Sequence, residues 1–159
     1  MRPTFGFMLR RPAHVIALGA GAGLVPAAPG TAGTLLAFPI YWALASACTE
    51  ATLLALIAGG FAIGIWACAE TGRALGVADH GAMVWDEVVA FALVLVFTPA
   101  GWQWQVSAFL LFRFFDILKP PPIRYFDRKL KSGFGVMFDD LLAAFYALLV
   151  LAVFKQIFR

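Results

Sequence analysis

Residues 51–69 read ATLLALIAGGFAIGIWACA and carry no charged side chain. This length is close to the ~20 apolar residues that a helix needs to cross the hydrocarbon core of a bilayer. Residues 32–49 and 88–112 are also free of charge, and residues 141–154 are apolar throughout. The pattern predicts an all-α, integral membrane protein.

The overall composition supports the same class. The chain of 159 residues is 62% hydrophobic and only 13% charged, whereas a soluble domain carries about 25% charged residues. The net charge of +3 is modest and no basic arm is present, so we expect no nucleic-acid partner. We interpret residues 1–159 as a single membrane-embedded domain whose partner is the lipid bilayer.

Basic residues indicate how the chain is oriented, because Lys and Arg concentrate in cytoplasmic loops. They cluster in segments 1–31, 70–86 and 116–137, whereas the turns near residues 50 and 102 contain none. These three segments are therefore predicted to share the cytoplasmic face, with residues 1–13 as an N-terminal cytoplasmic segment. The pattern predicts about five helical segments in a multi-pass bundle: 33–48, 52–72, 84–98, 103–118 and 138–157.

Residues 19–34 (GAGAGLVPAAPGTAGT) interrupt the apolar pattern with glycines and prolines. They are either a connecting loop at the membrane interface or a loop that cradles a phosphate. In the second interpretation, free backbone N–H groups, the hydroxyls of Thr31 and Thr34, and a helix starting near Leu35 would bind the anion.

Carboxylates are concentrated on the predicted cytoplasmic face. Asp86 and Glu87 open the third helical segment, and Asp139 and Asp140 open the last one. Acidic residues in a first turn are favoured by the helix dipole alone. Two adjacent acidic pairs exceed that need, and oxygen ligands from two helix starts would suit Mg²⁺.

Basic residues near these carboxylates suggest an anionic substrate. Arg113 and Asp116 lie three positions apart on one helix face. They form either an internal ion pair or a unit in which Arg113 binds phosphate while Asp116 orients it or joins the metal site. Lys119, held before three consecutive prolines, is a second candidate for binding phosphate.

Other reactive side chains give weaker signals. His80 is a candidate acid or base, although a loop histidine is more often without a catalytic role. Cys48 and Cys68 lie in apolar helical pattern, which suits buried small hydrophobes better than a metal site or a nucleophile. Together with the metal-site pattern, this favours hydrolysis assisted by a metal and carboxylates.

Several motifs in register resemble the bacterial phosphatidylglycerophosphatase A family from about residue 14 to the end. The segments that carry the resemblance are Pro29–Thr34, Asp79–Gly81, Val84–Glu87, Arg113–Pro120, Pro122–Arg124, Phe126–Arg128, Gly133–Gly135 and Asp139–Asp140. The resemblance implies a Mg²⁺-dependent enzyme of the bacterial inner membrane that hydrolyses phosphatidylglycerophosphate to phosphatidylglycerol and inorganic phosphate. Its active site would lie at the cytoplasmic helix ends.

The residues and the resemblance together define one candidate site. The metal ligands and water-activating carboxylates would be Asp86, Glu87, Asp139 and Asp140, assisted by Asp116. Arg113, Lys119, Thr31 and Thr34 would hold the phosphate. A transporter coupled to cations or protons is the alternative, and it predicts charges at mid-helix and an inverted repeat.

Overall fold

A computed structural model describes residues 2–157, and all of the regular elements in that range are helices. The predicted all-α class is therefore confirmed. The elements, in chain order, are α1 (Phe5–Met8), α2 (Pro12–Ala17), a 3-10 helix (Gly19–Leu24), α3 (Pro29–Ala47), α4 (Glu50–Leu75), α5 (Trp85–Phe97), α6 (Trp102–Leu118), α7 (Ile123–Lys129) and α8 (Gly133–Ile157).

The centre of the fold is built on α5 and α8. Helix α5 packs against α3, α4 and α8, and α8 also packs against α4, α6 and α7. Phe91 of α5 and Phe112 of α6 are fully buried, with ring centroids 5.5 Å apart. Ala143 and Ala147 of α8 are also fully buried. Small side chains on α8 allow its neighbours to approach closely, as in helix packing within membranes.

The outer surface of the long helices is strongly apolar. Leu56 and Trp66 of α4 are exposed, as are Leu110 of α6 and Leu149 of α8. Helices α4 and α8 are long and apolar enough to cross a bilayer. Only 22% of the most apolar window of α4 is buried within the protein, which distinguishes it from the core helix of a soluble domain.

Two predicted helix boundaries are wrong, and both lie beside the candidate site. Helix α3 begins at Pro29 rather than near Leu35, because proline is favoured at the first helical position, where its missing N–H costs nothing. Helix α8 begins at Gly133, so Asp139 and Asp140 lie in its second turn and do not open it.

Candidate active site

Three buried carboxylates meet where the start of α5 faces the second turn of α8. Asp86, Glu87 and Asp140 each offer an oxygen atom, and these oxygens lie within 4.8 Å of one another. Each residue also has a buried carboxylate oxygen without a hydrogen-bond partner among the described residues. We call Asp86, Glu87 and Asp140 the acidic trio.

The chain fixes the start of α5 from two sides. The backbone N–H of Val84 donates to the carbonyl oxygen of Ala17 over 2.8 Å. The indole Nε1 of Trp85 donates to the carbonyl oxygen of Gly60 in α4 over 2.9 Å. These contacts hold the residues immediately before Asp86 and Glu87, so the two carboxylates point inward from a fixed helix start.

The glycine-rich stretch supports this arrangement by close packing. A Cβ at Gly23 would lie 1.9 Å from the carbonyl oxygen of Ala82, so only glycine lets the 3-10 helix approach the loop before α5 this closely. A Cβ at Gly30 would lie 2.2 Å from Glu87 Oε1 and 3.1 Å from the Arg113 guanidinium. The first turn of α3 therefore forms a wall of the site.

Arg113 of α6 lies beside the trio. Its Nη1 forms an ion pair with Asp116 and lies 3.5 Å from Glu87 Oε1. Its Nε is buried and has no hydrogen-bond partner among the described residues. Both interpretations of the Arg113–Asp116 spacing are thus compatible with the structure: the ion pair forms, and a donor remains for a further ligand.

A second group of charges adjoins the trio and is internally paired. Lys119 forms an ion pair with Asp139, and its Nζ donates to Asp127 Oδ1 over 2.9 Å. We call Lys119, Asp127 and Asp139 the lysine-centred group. Burial alone lowers the pKa of Lys119, but the two carboxylates outweigh it and raise the pKa above its ordinary value. The lysine therefore stays charged at neutral pH.

The chemistry of the acidic trio fits a hard divalent cation. Its donors are all carboxylate oxygens, which suit Mg²⁺ better than the nitrogen and sulfur ligands typical of zinc. Three buried carboxylates with Arg113 as the nearest cation leave negative charge uncompensated, which is costly in a protein interior. A bound cation would balance that charge and coordinate the oxygens that lack partners.

The structure separates the four predicted metal ligands. Asp86, Glu87 and Asp140 come together as predicted, whereas Asp139 turns toward Lys119. Asp116 lies beside the trio, since it pairs with Arg113 and faces Asp140. The predicted convergence of two acidic pairs is therefore correct for the trio, and Asp139 belongs to the neighbouring group.

The remaining candidates lie in different surroundings. Thr34 is fully buried, and its hydroxyl donates to the carbonyl oxygen of Gly30 over 2.8 Å, so we do not retain it as a phosphate ligand. Thr31 is half-buried in the first turn of α3. His80 Nδ1 accepts a hydrogen bond from the N–H of Ala82, which holds the ring to its own loop.

Sequence reasoning missed two residues of this region. The sequence pattern does not identify Asp127 as the partner of Lys119. The ion pair joins Lys119, at the end of α6, to Asp127 in α7 across the turn at Pro120–Pro122. The sequence pattern places Gly30 in a connecting or phosphate-cradling loop, and its contact with Glu87 and Arg113 depends on where α3 begins.

Comparison with known proteins gives consistent matches over nearly the whole chain. The family model for phosphatidylglycerophosphatase A matches residues 15–155. A Haemophilus influenzae protein named phosphatidylglycerophosphatase A is 49% identical over 149 residues, which cover 93% of this chain and 91% of the relative. An Escherichia coli protein of the same name is 40% identical over 85% of this chain and 78% of the relative.

A third relative has a different name. The Bacteroides thetaiotaomicron protein is 40% identical over 94% of this chain and 99% of the relative, and is provisionally named a phosphatidylinositol-3-phosphatase. The names of all three relatives describe phosphatases that act on a phosphorylated phospholipid. No solved structure matches the chain.

Proposed function

This chain belongs to the phosphatidylglycerophosphatase A family, and we propose that it hydrolyses phosphatidylglycerophosphate to phosphatidylglycerol and inorganic phosphate with the help of Mg²⁺. The observation that carries the proposal is the acidic trio with Arg113 beside it. Buried carboxylates with oxygens that lack partners suit a metal ion, and a buried arginine donor suits a phosphate.

Arg113 would bind the terminal phosphate. Its Nε has no hydrogen-bond partner among residues 2–157, while its Nη1 pairs with both Asp116 and Glu87. A phosphate oxygen would accept the free hydrogen bond, and the fixed guanidinium would stabilise the charge that develops during hydrolysis. Thr31, in the adjacent first turn of α3, is a secondary candidate for the same anion.

The metal would be held by Asp86, Glu87 and Asp140, where it would supply charge neutralisation for the phosphate and a lowered pKa for a bound water. A carboxylate outside the trio would accept the proton of the attacking water, and Asp139 and Asp116 are the buried candidates. Lys119 would keep Asp139 oriented through their ion pair, and it would also attract the phosphate electrostatically. His80 is a further candidate proton donor or acceptor.

We further propose that the protein is a multi-pass inner-membrane enzyme with its site on the cytoplasmic side. The exposed apolar surface of the long helices supports this placement, as do two helices able to span a bilayer. The charged residues lie near the start of α5, the end of α6 and the start of α8, and these helix ends meet at one end of the bundle. Of the predicted single domain, Met1 and residues 158–159 lie outside the described residues.

The transporter alternative has no supporting observation. It predicted charged residues at mid-helix, but Asp86 and Glu87 lie in the first turn of α5, and Asp139 and Asp140 lie in the second turn of α8. Lys119 caps the end of α6. The charges thus gather at helix ends, as a site open to a substrate at the membrane surface requires.

The function is tested by phosphate release from phosphatidylglycerophosphate in mixed micelles, with purified protein and Mg²⁺. We expect release to require the intact trio, so Asp86→Asn, which removes one of its carboxylates, should abolish release. Phosphate release from phosphatidylinositol 3-phosphate in the same micelles tests the activity for which the Bacteroides thetaiotaomicron relative is named. No release from phosphatidylglycerophosphate by folded protein, with release from the inositol lipid, would move the proposed substrate to the latter class.

A further inference from the structure

A basic groove lies apart from the acidic trio, at the surface formed by α1, α2 and the end of α4. It encloses about 530 Å³ and is lined by Phe7, Arg10, Arg11, His14, Glu70 and Arg73. We propose that this groove binds the headgroup phosphate of an anionic phospholipid, as a site separate from the proposed catalytic one.

Two of the three arginines of the groove are held in place by a shared carboxylate. Glu70 forms ion pairs with Arg11 through Oε1 and with Arg73 through Oε2, the latter over 2.6 Å. Each guanidinium has several N–H donors, so one carboxylate leaves most of them available. The side chain of Arg10 makes no hydrogen bond or ion pair within residues 2–157. The groove therefore keeps an excess of positive charge and of unused donors.

The floor of the groove is rigid. The His14 side chain is only 2% exposed, and its Nδ1 lies 3.0 Å from the hydroxyl oxygen of Thr71 in α4. Phe7 stacks on the His14 ring with centroids 4.3 Å apart. These contacts fasten α1 and α2 to α4, so Arg10 and Arg11 are displayed from a supported surface and not from a free chain end.

The position of the groove favours a lipid over a soluble anion. Helix α4 has 26 residues and is about 39 Å long at ~1.5 Å per residue, which exceeds the ~30 Å hydrocarbon core of a bilayer. Its last turn, with Arg73, would therefore lie at the level of the headgroups. Phe5 and Leu9 precede Arg10 and Arg11 in the chain and are 63% and 61% exposed, so they would enter the acyl region while the guanidiniums bind phosphates.

The test is photocrosslinking in bilayers of phosphatidylcholine with a minority of phosphatidylglycerol. A photoreactive residue at Leu9 reports the lipid beside the groove, and one at Leu110, an exposed position on α6, serves as the control. We expect adducts at position 9 to be enriched about fivefold in phosphatidylglycerol, which corresponds to about 1 kcal/mol. Adducts at position 110 should follow the bilayer composition.

Two triple variants that remove the same charge distinguish lipid binding at the groove from general attraction between a basic protein surface and anionic lipids. Arg10→Gln/Arg11→Gln/Arg73→Gln should abolish the enrichment, whereas Arg124→Gln/Arg128→Gln/Lys129→Gln removes equal charge from the surface around α7 and should preserve it. Arg10→Gln alone, which breaks no ion pair, should reduce the enrichment even if the triple variant fails to fold. Photocrosslinking does not require the protein to hydrolyse a substrate, so its result does not depend on whether the proposed function is correct.

Three results would overturn the proposal. The first is adducts at position 9 that follow the bilayer composition. The second is equal loss of enrichment in both triple variants, which would indicate general surface charge. The third is removal of the enrichment by millimolar inorganic phosphate at constant ionic strength, which would assign the groove to a soluble anion.

Discussion

The acidic trio and the lysine-centred group lie side by side, yet their charges are organised in opposite ways. In the lysine-centred group, Lys119 is paired with Asp127 and Asp139, so the charges are largely satisfied within the protein. In the trio, each residue has a buried carboxylate oxygen with no hydrogen-bond partner in the described part of the chain. This contrast is the reason that we propose a bound cation at the trio and none at the lysine-centred group.

The largest expected effect comes from removing a member of the trio. Asp140→Asn should lower kcat/KM for phosphatidylglycerophosphate by about a thousandfold, because it removes a metal ligand that contributes several kcal/mol to the transition state. Phosphate release measured over a range of Mg²⁺ concentrations checks this. Near-normal activity at ordinary Mg²⁺ would show that the trio is not the metal site.

A smaller effect is expected at the arginine that faces the trio. Arg113→Lys keeps the charge but loses the planar fork, so kcat/KM should fall by about 10- to 100-fold. Arg128→Lys, at an exposed position of α7, is the matched control and should change little. If Arg113→Lys had normal kinetics, the ion pair with Asp116 would be sufficient to explain this arginine.

Substitutions in the two groups should also change the thermal stability of the metal-free protein in opposite directions. In excess chelator, Asp140→Asn should raise the melting temperature by a few degrees, because it relieves repulsion among buried carboxylates by about 1–2 kcal/mol. Asp139→Asn should lower the melting temperature, because it removes a buried partner of Lys119.

Thermal unfolding of both variants in the same detergent measures this contrast. A decrease of similar size in both would mean that the trio is as well satisfied as the lysine-centred group. Addition of Mg²⁺ should then raise the melting temperature of the wild-type protein more than that of Asp140→Asn.

The smallest effect is expected at the cysteines. Cys68 is fully buried in α4, and Cys48 is half-buried immediately after α3. The combined variant Cys48→Ser/Cys68→Ala should keep kcat within about twofold, because the proposed chemistry uses no thiol. Loss of activity in a folded variant would require a role for a cysteine in the mechanism.

Much of this site was predictable because charge is rare in the chain and gathers in a few segments. The alternation of apolar segments placed Asp86, Glu87, Arg113 and Asp140 at one end of the molecule, and the structure brings them together. Burial of charge at helix ends is costly, so such residues indicate a site even without a structure.

The division between Asp139 and Asp140 was not predicted, although helix geometry explains it. Adjacent residues on an α-helix project about 100° apart, so Asp139 and Asp140 can face different neighbours. Asp140 faces α5, and Asp139 faces the end of α6. The sequence pattern could not show which residue faces which helix, because that depends on where α8 begins and how it packs.

The central claim is that the acidic trio holds a divalent cation that hydrolysis requires. The most direct measurement is phosphate release from phosphatidylglycerophosphate by the purified protein with Mg²⁺, then with excess chelator, then with Mg²⁺ restored, alongside Asp140→Asn. We predict that release stops with chelator and returns with Mg²⁺ in the wild-type protein, while the variant stays inactive at the same Mg²⁺ concentration. Undiminished release in excess chelator would contradict the claim.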